Sequence, residues 1–306
     1  MELYVTAIAC FIGLILAASR PAAPIFARAK KILLRISASP SRAMIFIFIF
    51  AMIFYASPSL FHVPAPIVHD EFAYLLQADT FAHGRLTNPP HPMAKFFETF
   101  HVLQSPTYTA KFPPSLGMVM AGGMLIGLPI LGVWISTALG CVLIFWMLAA
   151  VVPNRWAMLV ALLAVVHPTV IWYSQVYWGG CTAMIGGVIL TGAMLRAMRT
   201  PTKMLGLIAG AGMSVLAMSR PFEGLLLSIA TAIALFICAF RDARVKTLVL
   251  KFFPCALIFP IITGTWLMYY NWRVTGDPLL LPYVLHSSRY MAAPLFHWQS
   301  IPPTPN

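Results

Sequence analysis

The chain has 306 residues, 60% of them hydrophobic and 9% charged, with a mean hydropathy of +0.85. Soluble domains run at roughly 45–50% apolar and about 25% charged, so a water-soluble enzyme, a disordered chain and a nucleic-acid module are excluded in favour of a polytopic membrane protein. The net charge of +12, from 20 Lys and Arg against 8 Asp and Glu, sits in short blocks between apolar runs; it reads as topology signal and attraction to anionic lipid headgroups, not as a nucleic-acid surface.

In chain order, the apolar runs predict an all-α bundle of eight or nine membrane segments: 2–19, 43–60, 113–131, 132–152, 156–174, 181–198, 203–219, 222–240 and 252–270. They divide the chain into a first pair of spans with a basic loop (1–60), a long loop (61–112), a membrane core (113–270) and a tail (271–306). Segment 20–42 carries Arg20, Arg28, Lys30, Lys31, Arg35 and Arg42 with no acid, which places it in the cytoplasm. Two later basic blocks, around Arg196–Lys203 and Arg241–Lys251, fall on the same side. The long loop, the Trp178-Gly179-Gly180 turn, the joint at Arg220 and the tail then share the outer side. This scheme requires an odd number of crossings between residue 112 and Arg155, so either the glycine-rich 113–131 is a half-span or 156–198 is broken at His167-Pro168.

The long loop holds half of the acidic residues: Asp70, Glu71, Asp79 and Glu98. His69-Asp70-Glu71-Phe72-Ala73-Tyr74 follows prolines at 64 and 66 and predicts a short helix with its acids in the first turn. On it, Asp70, Tyr74 and Gln77 share one polar face, and Glu71 points about 100° away. An acidic pair beside a membrane suits a general base for a hydroxyl, or a clamp for a positive centre. Further on, the loop runs from Ala78 through Gly84 and Arg85 to Lys111 and Phe112-Pro113-Pro114-Ser115-Leu116-Gly117. The acidic pair, the following aromatic and alanine, and the Pro-Pro-x-Leu leading into a membrane helix resemble the C-type glycosyltransferases, in the branch of protein O-mannosyltransferases and lipid A aminoarabinose transferases. The resemblance continues at Arg155-Trp156 through Pro168 and at Gly206 through Arg220-Pro221, over roughly residues 43–285.

That resemblance implies transfer of a sugar from a polyprenyl-phosphate donor to a lipid, glycan or protein acceptor, at the outer face of a membrane such as the bacterial inner membrane. It implies Asp70 as the catalytic carboxylate, with Glu71 second. The chain departs from the family pattern at Trp178-Gly179-Gly180-Cys181, where relatives often carry a further acid. No carboxylate lies between Glu98 and Glu223, which leaves a divalent metal unsupported. Arg220 and Glu223 form the other charged joint. Its bland reading is an i,i+3 pair at the membrane interface; its functional reading is an arginine that meets the donor phosphate, with Lys95 and Lys111 as further point charges. Tyr74, Gln77, Trp178 and Tyr283 complete the candidate binding residues. Of the five histidines in or beside the loop, His62, His69, His83, His91 and His101, only His69 stands next to Asp70, and their spacing fits no metal motif. The five cysteines read as buried small apolar residues. The rival reading is a non-enzymatic lipid-linked-sugar transporter or lipid-binding protein, against which stand the missing internal repeat and phosphate loop.

Overall fold

The computed structural model describes residues 23–178, 181–241, 244–291 and Ser300. Helix accounts for 73% of the chain, and the sole sheet among the described residues is a two-stranded ribbon in the long loop. The first candidate span, 2–19, lies outside the described residues, as do Gly179, Gly180 and most of the tail beyond Met291. The chain opens with α1 (Ala23–Ser37) and α2 (Pro40–Ala56, extended by a tight turn to Leu60). The loop carries α3 (His69–Ala82) and the ribbon β1 (Val102–Leu103) with β2 (Thr109–Ala110), antiparallel. Then follow α4 (Ser115–Met124), α5 (Ile130–Leu148), α6 (Asn154–Val165), α7 (Pro168–Ser174), α8 (Cys181–Ala197) and α9 (Lys203–Ser219). The chain continues through α10 (Pro221–Arg241), α11 (Phe253–Thr275, preceded by a π-type turn at Leu248–Phe252) and α12 (Pro282–Tyr290).

Four stretches among the described residues are long and apolar enough to cross a membrane: Pro40–Leu60, Ile130–Leu148, Pro221–Arg241 and Val245–Thr275. Helices α6 and α7, bent by 59° at their junction, make a fifth if counted as one broken span. The expected eight or nine segments are therefore not reached among the described residues. The shortfall is one of length. Helix α4 has 10 residues and rises only about 15 Å at 1.5 Å per residue, half of a ~30 Å hydrocarbon core. Helices α8 and α9 have 17 residues each and rise about 26 Å. Both irregularities weighed from the sequence are present. The glycine-rich segment is a half-length helix, and α6 ends before Pro168, whose ring disfavours helical backbone at the preceding residue.

The crossings sort the charges. Arg196 donates to the carbonyl of Trp146 near the end of α5, and Arg244 donates to the carbonyl of Arg199, so the basic blocks gather at one end of the bundle. At the other end Thr107 donates to Val274 O at 2.8 Å, and Arg289 donates to the carbonyl of Ser105, so the long loop packs on the C-terminal part of α11 and on α12.

Small residues let the backbones approach. An added Cβ on Gly212 of α9 would lie 2.7 Å from Leu190 N and 2.8 Å from Gly186 O of α8. Close glycine crossings of this kind replace the hydrophobic drive that apolar helices lack in lipid. The half-span is held the same way: a Cβ on Gly132 of α5 would sit 2.4 Å from Val119 O and 2.9 Å from Met120 Cα of α4. Those atoms are backbone and cannot swing aside. Gly132→Ala is expected to part α4 from α5 and to cost about 1–3 kcal/mol, read as a lower thermal-unfolding midpoint in detergent; an unchanged midpoint would show that the hairpin is looser than this packing.

Candidate functional site

Helix α3 starts where the extended Val68 follows the proline-rich stretch. It presents its inner face to the bundle: Glu71, Tyr74 and Gln77 are buried, and Asp70 stands at the rim with 29% of its side chain exposed. The two adjacent carboxylates have different employment. Glu71 is 2% exposed. Its Oε2 accepts the backbone N–H groups of Ile67 at 2.7 Å and Val68 at 3.1 Å, and its Oε1 accepts Tyr177 N–H at 2.8 Å. It therefore caps α3 and ties that helix to the segment after α7. Both oxygens of the Glu71 carboxylate are taken by backbone donors, which gives it a structural employment that Asp70 does not share.

Asp70 faces a cluster drawn from three elements. His101 Nε2 lies 3.7 Å from Asp70 Oδ1. His101 heads the ribbon with φ +66, a left-handed conformation uncommon outside glycine. Its carbonyl accepts the N–H of Lys111 at 3.0 Å, which brings the lysine to the same place. Lys111 is 4% exposed, and its ammonium lies 4.8 Å from the ring centre of Tyr283 and 5.5 Å from that of Phe112. Such cation–π contacts offset part of the cost of taking the charge out of water. Burial pushes the Lys111 ammonium below its ordinary range, and the Asp70 carboxylate opposes that shift. Tyr74 stacks on Phe112 at 4.4 Å, and burial raises its phenol, with Arg220 acting in the opposite sense. Arg220 thus reaches the field of this cluster from the α9–α10 joint. It also lies 3.7 Å from Glu223, and both side chains are more than half exposed, so that pair contributes little to stability.

The remaining sequence candidates divide. Tyr283 belongs to the cluster through Lys111. Trp178 packs edge-on against Trp172 at 5.4 Å, directly after the Tyr177 N–H that Glu71 holds, and its indole nitrogen is buried without a partner among the described residues. Gln77 is fully buried and donates to Phe112 O at 2.9 Å and Tyr270 Oη at 3.3 Å. These bonds make it a tie between α3, the segment leading into α4, and α11. Lys95 is exposed on the turn Ala94–Phe96 and makes none of the contacts that join the cluster.

Adjacency in sequence does not bring His69 into the cluster. His69 is exposed and packs on Phe100, with ring centres 4.8 Å apart. The two histidines that face the cluster are His101 and His286 of α12, whose rings are 6.2 Å apart. Each has a buried Nδ1 without a hydrogen-bond partner among the described residues. His286 lies in the tail, and nothing in its local sequence links it to a loop residue some 185 positions earlier. Among the described residues no three His, Cys, Asp or Glu side chains converge as a metal would require.

Burial, with Lys111 and His101 beside it, pushes the His286 imidazole down to about 4. A group whose folded value is depressed supports the fold above its unfolded value of about 6.5 and loses that support as pH falls through the folded value. Stability is therefore expected to drop by up to about 3 kcal/mol between pH 6.5 and 4. His286→Gln should flatten this dependence in thermal unfolding scans; an unchanged pH profile in that variant would assign the acid sensitivity elsewhere.

No family model, curated protein or solved structure matches the chain.

Proposed function

We propose that the protein is an integral membrane glycosyltransferase that moves a sugar from a polyprenyl-phosphate donor to a hydroxyl of a lipid, glycan or protein acceptor, on the outer side of the membrane. The observation that carries this reading is a rim carboxylate, Asp70, 3.7 Å from His101, with the buried cation Lys111 close enough to feel its charge, at the loop end of an apolar bundle. The motif order read from the sequence supports it.

In this reading the acceptor hydroxyl gives its proton to the Asp70 carboxylate as its oxygen bonds to the anomeric carbon. The bond from that carbon to the phosphate oxygen breaks, and its electron pair leaves with the phosphate. Lys111 and Arg220 offset the negative charge that builds on the departing group. With Glu71 held by backbone donors, Asp70 acts in this reading without a second carboxylate as nucleophile. A single displacement with inversion at the anomeric carbon follows.

The 59° break between α6 and α7 favours a second reading, a lipid-linked-sugar transporter, because broken helices build transport sites. One assay separates the two. Purified protein in liposomes is given a panel of polyprenyl-phosphate sugars with hydroxyl acceptors. Glycosylated product with inverted stereochemistry supports the transferase. Movement of the intact donor between leaflets without product supports the carrier.

A further inference from the structure

At the basic end of the bundle a cleft of about 510 Å³ opens between α1 and α6, with Lys30, Ser37 and Arg155 among its polar lining. It shares Leu33, Leu159 and Leu162 with a second cleft of about 240 Å³. That one is walled by apolar side chains, including Phe50 of α2, Leu163 of α6 and Val166 just past its end. The two form one gutter on the outside of the bundle, basic at its mouth and apolar along its length. From Arg155 to Val166 it follows α6 for about 16 Å at 1.5 Å per residue, close to half of a ~30 Å hydrocarbon core. A gutter reaching from the interface to the midplane has the length of one leaflet's acyl chain. Its walls face outward: Leu159 is 43% exposed and Leu163 57%.

The mouth is selective in sign. Among the described residues no acid lines either cleft, and segment 20–42 contains none. The Arg155 guanidinium lies 5.8 Å from the ring centre of Trp156. Trp156 is half exposed, as for an aromatic ring seated at headgroup depth. Helix α1 interleaves Arg28, Lys30, Lys31 and Arg35 with exposed Ile32, Leu33 and Leu34, the pattern of a helix lying in the membrane surface.

We propose that this gutter binds one acidic glycerophospholipid of the leaflet at the basic end, its phosphate between Lys30 and Arg155 and one acyl chain along Leu159, Leu163 and Val166. The site stands at the opposite end of the bundle from Asp70 and does not depend on the proposed transferase reaction.

The test is native mass spectrometry of the full chain in detergent, titrated separately with phosphatidylglycerol and phosphatidylcholine. Phosphatidylglycerol should be retained about ten- to thirtyfold more tightly, the preference that two basic groups near a headgroup supply, and glycerol 3-phosphate without acyl chains should not displace it. The double variant Lys30→Gln/Arg155→Gln should lose the preference, and Leu159→Trp, which fills the gutter without touching a charge, should lower retention of both lipids. Equal retention of the two lipids by the unmodified chain would overturn the proposal. So would a preference that survives Lys30→Gln/Arg155→Gln, or displacement by glycerol 3-phosphate. An equal loss of preference in Arg241→Gln/Lys246→Gln, at another basic loop of the same end, would reduce the effect to general surface charge and overturn the site.

Discussion

Asp70→Asn is expected to lower glycosyl transfer about 10²–10⁴-fold, the usual contribution of a general base, equivalent to roughly 3–5 kcal/mol of barrier. Asparagine keeps the shape and one acceptor oxygen but cannot hold the acceptor proton as a carboxylate does. The fold should tolerate the change, because Asp70 is 29% exposed and its contact with His101, whose imidazole is held below its ordinary range by burial, is long at 3.7 Å. Donor binding should also persist, since Lys111 and Arg220 remain. Turnover and donor affinity must be measured separately at matched expression. Wild-type turnover in Asp70→Asn would remove the base assignment. Joint loss of turnover, donor binding and thermal stability would make Asp70 a structural partner of His101. His69→Ala, on an exposed ring packed against Phe100, should change turnover least.

Glu71→Ala should act on the protein as a whole. It strands three backbone N–H groups, those of Ile67, Val68 and Tyr177, that now share one buried carboxylate. Unmet buried donors cost about 1–3 kcal/mol each, less where water can reach them, so a loss of about 3–5 kcal/mol is expected. A loss of that size is a large part of the stability of most folds. Glu71→Gln retains one acceptor oxygen, and its amide nitrogen would face a donor. It should fall between, at about 1–3 kcal/mol. Thermal unfolding of the two variants orders them against wild type. A Glu71→Ala protein with native stability and no transfer would return Glu71 to the chemistry and refute its structural role.

The membrane class and the ends of the bundle were legible because they rest on long-range averages of the sequence. Apolar runs mark the helices, and the basic blocks mark one end, where Arg196 and Arg244 meet the carbonyls of Trp146 and Arg199. The short helix at His69–Ala82 was legible from its proline-rich approach and acidic first turn. The different burial of Asp70 and Glu71 was not. A helical wheel separates the two by angle, but only the packing of the segment after α7 decides which one is buried. The burial of Gln77 was hidden for a related reason: its amide donates inward to the carbonyl of Phe112 and the hydroxyl of Tyr270, partners that no helical wheel shows. The membership of His101 and His286 depends on the ribbon and α12 meeting in space, and no local pattern encodes that meeting. The count of eight or nine segments is not reached among the described residues, because hydropathy does not register where a helix stops, as α4 does after 10 residues.

The bond from Gln77 to Tyr270 joins residues 193 positions apart. During synthesis at about 5–20 residues per second, roughly ten to forty seconds separate the two partners as they leave the ribosome. For that interval the loop helix has its carboxylates but lacks the helix that anchors it and the lysine's aromatic seat on Tyr283. The charged face of the nascent chain therefore waits, assembled in part, for the last segments to be inserted. A ribosome stalled before Tyr270 would hold α3 without its terminal clasp, so protease accessibility of residues 61–112 in stalled chains would time the moment at which the protein becomes whole.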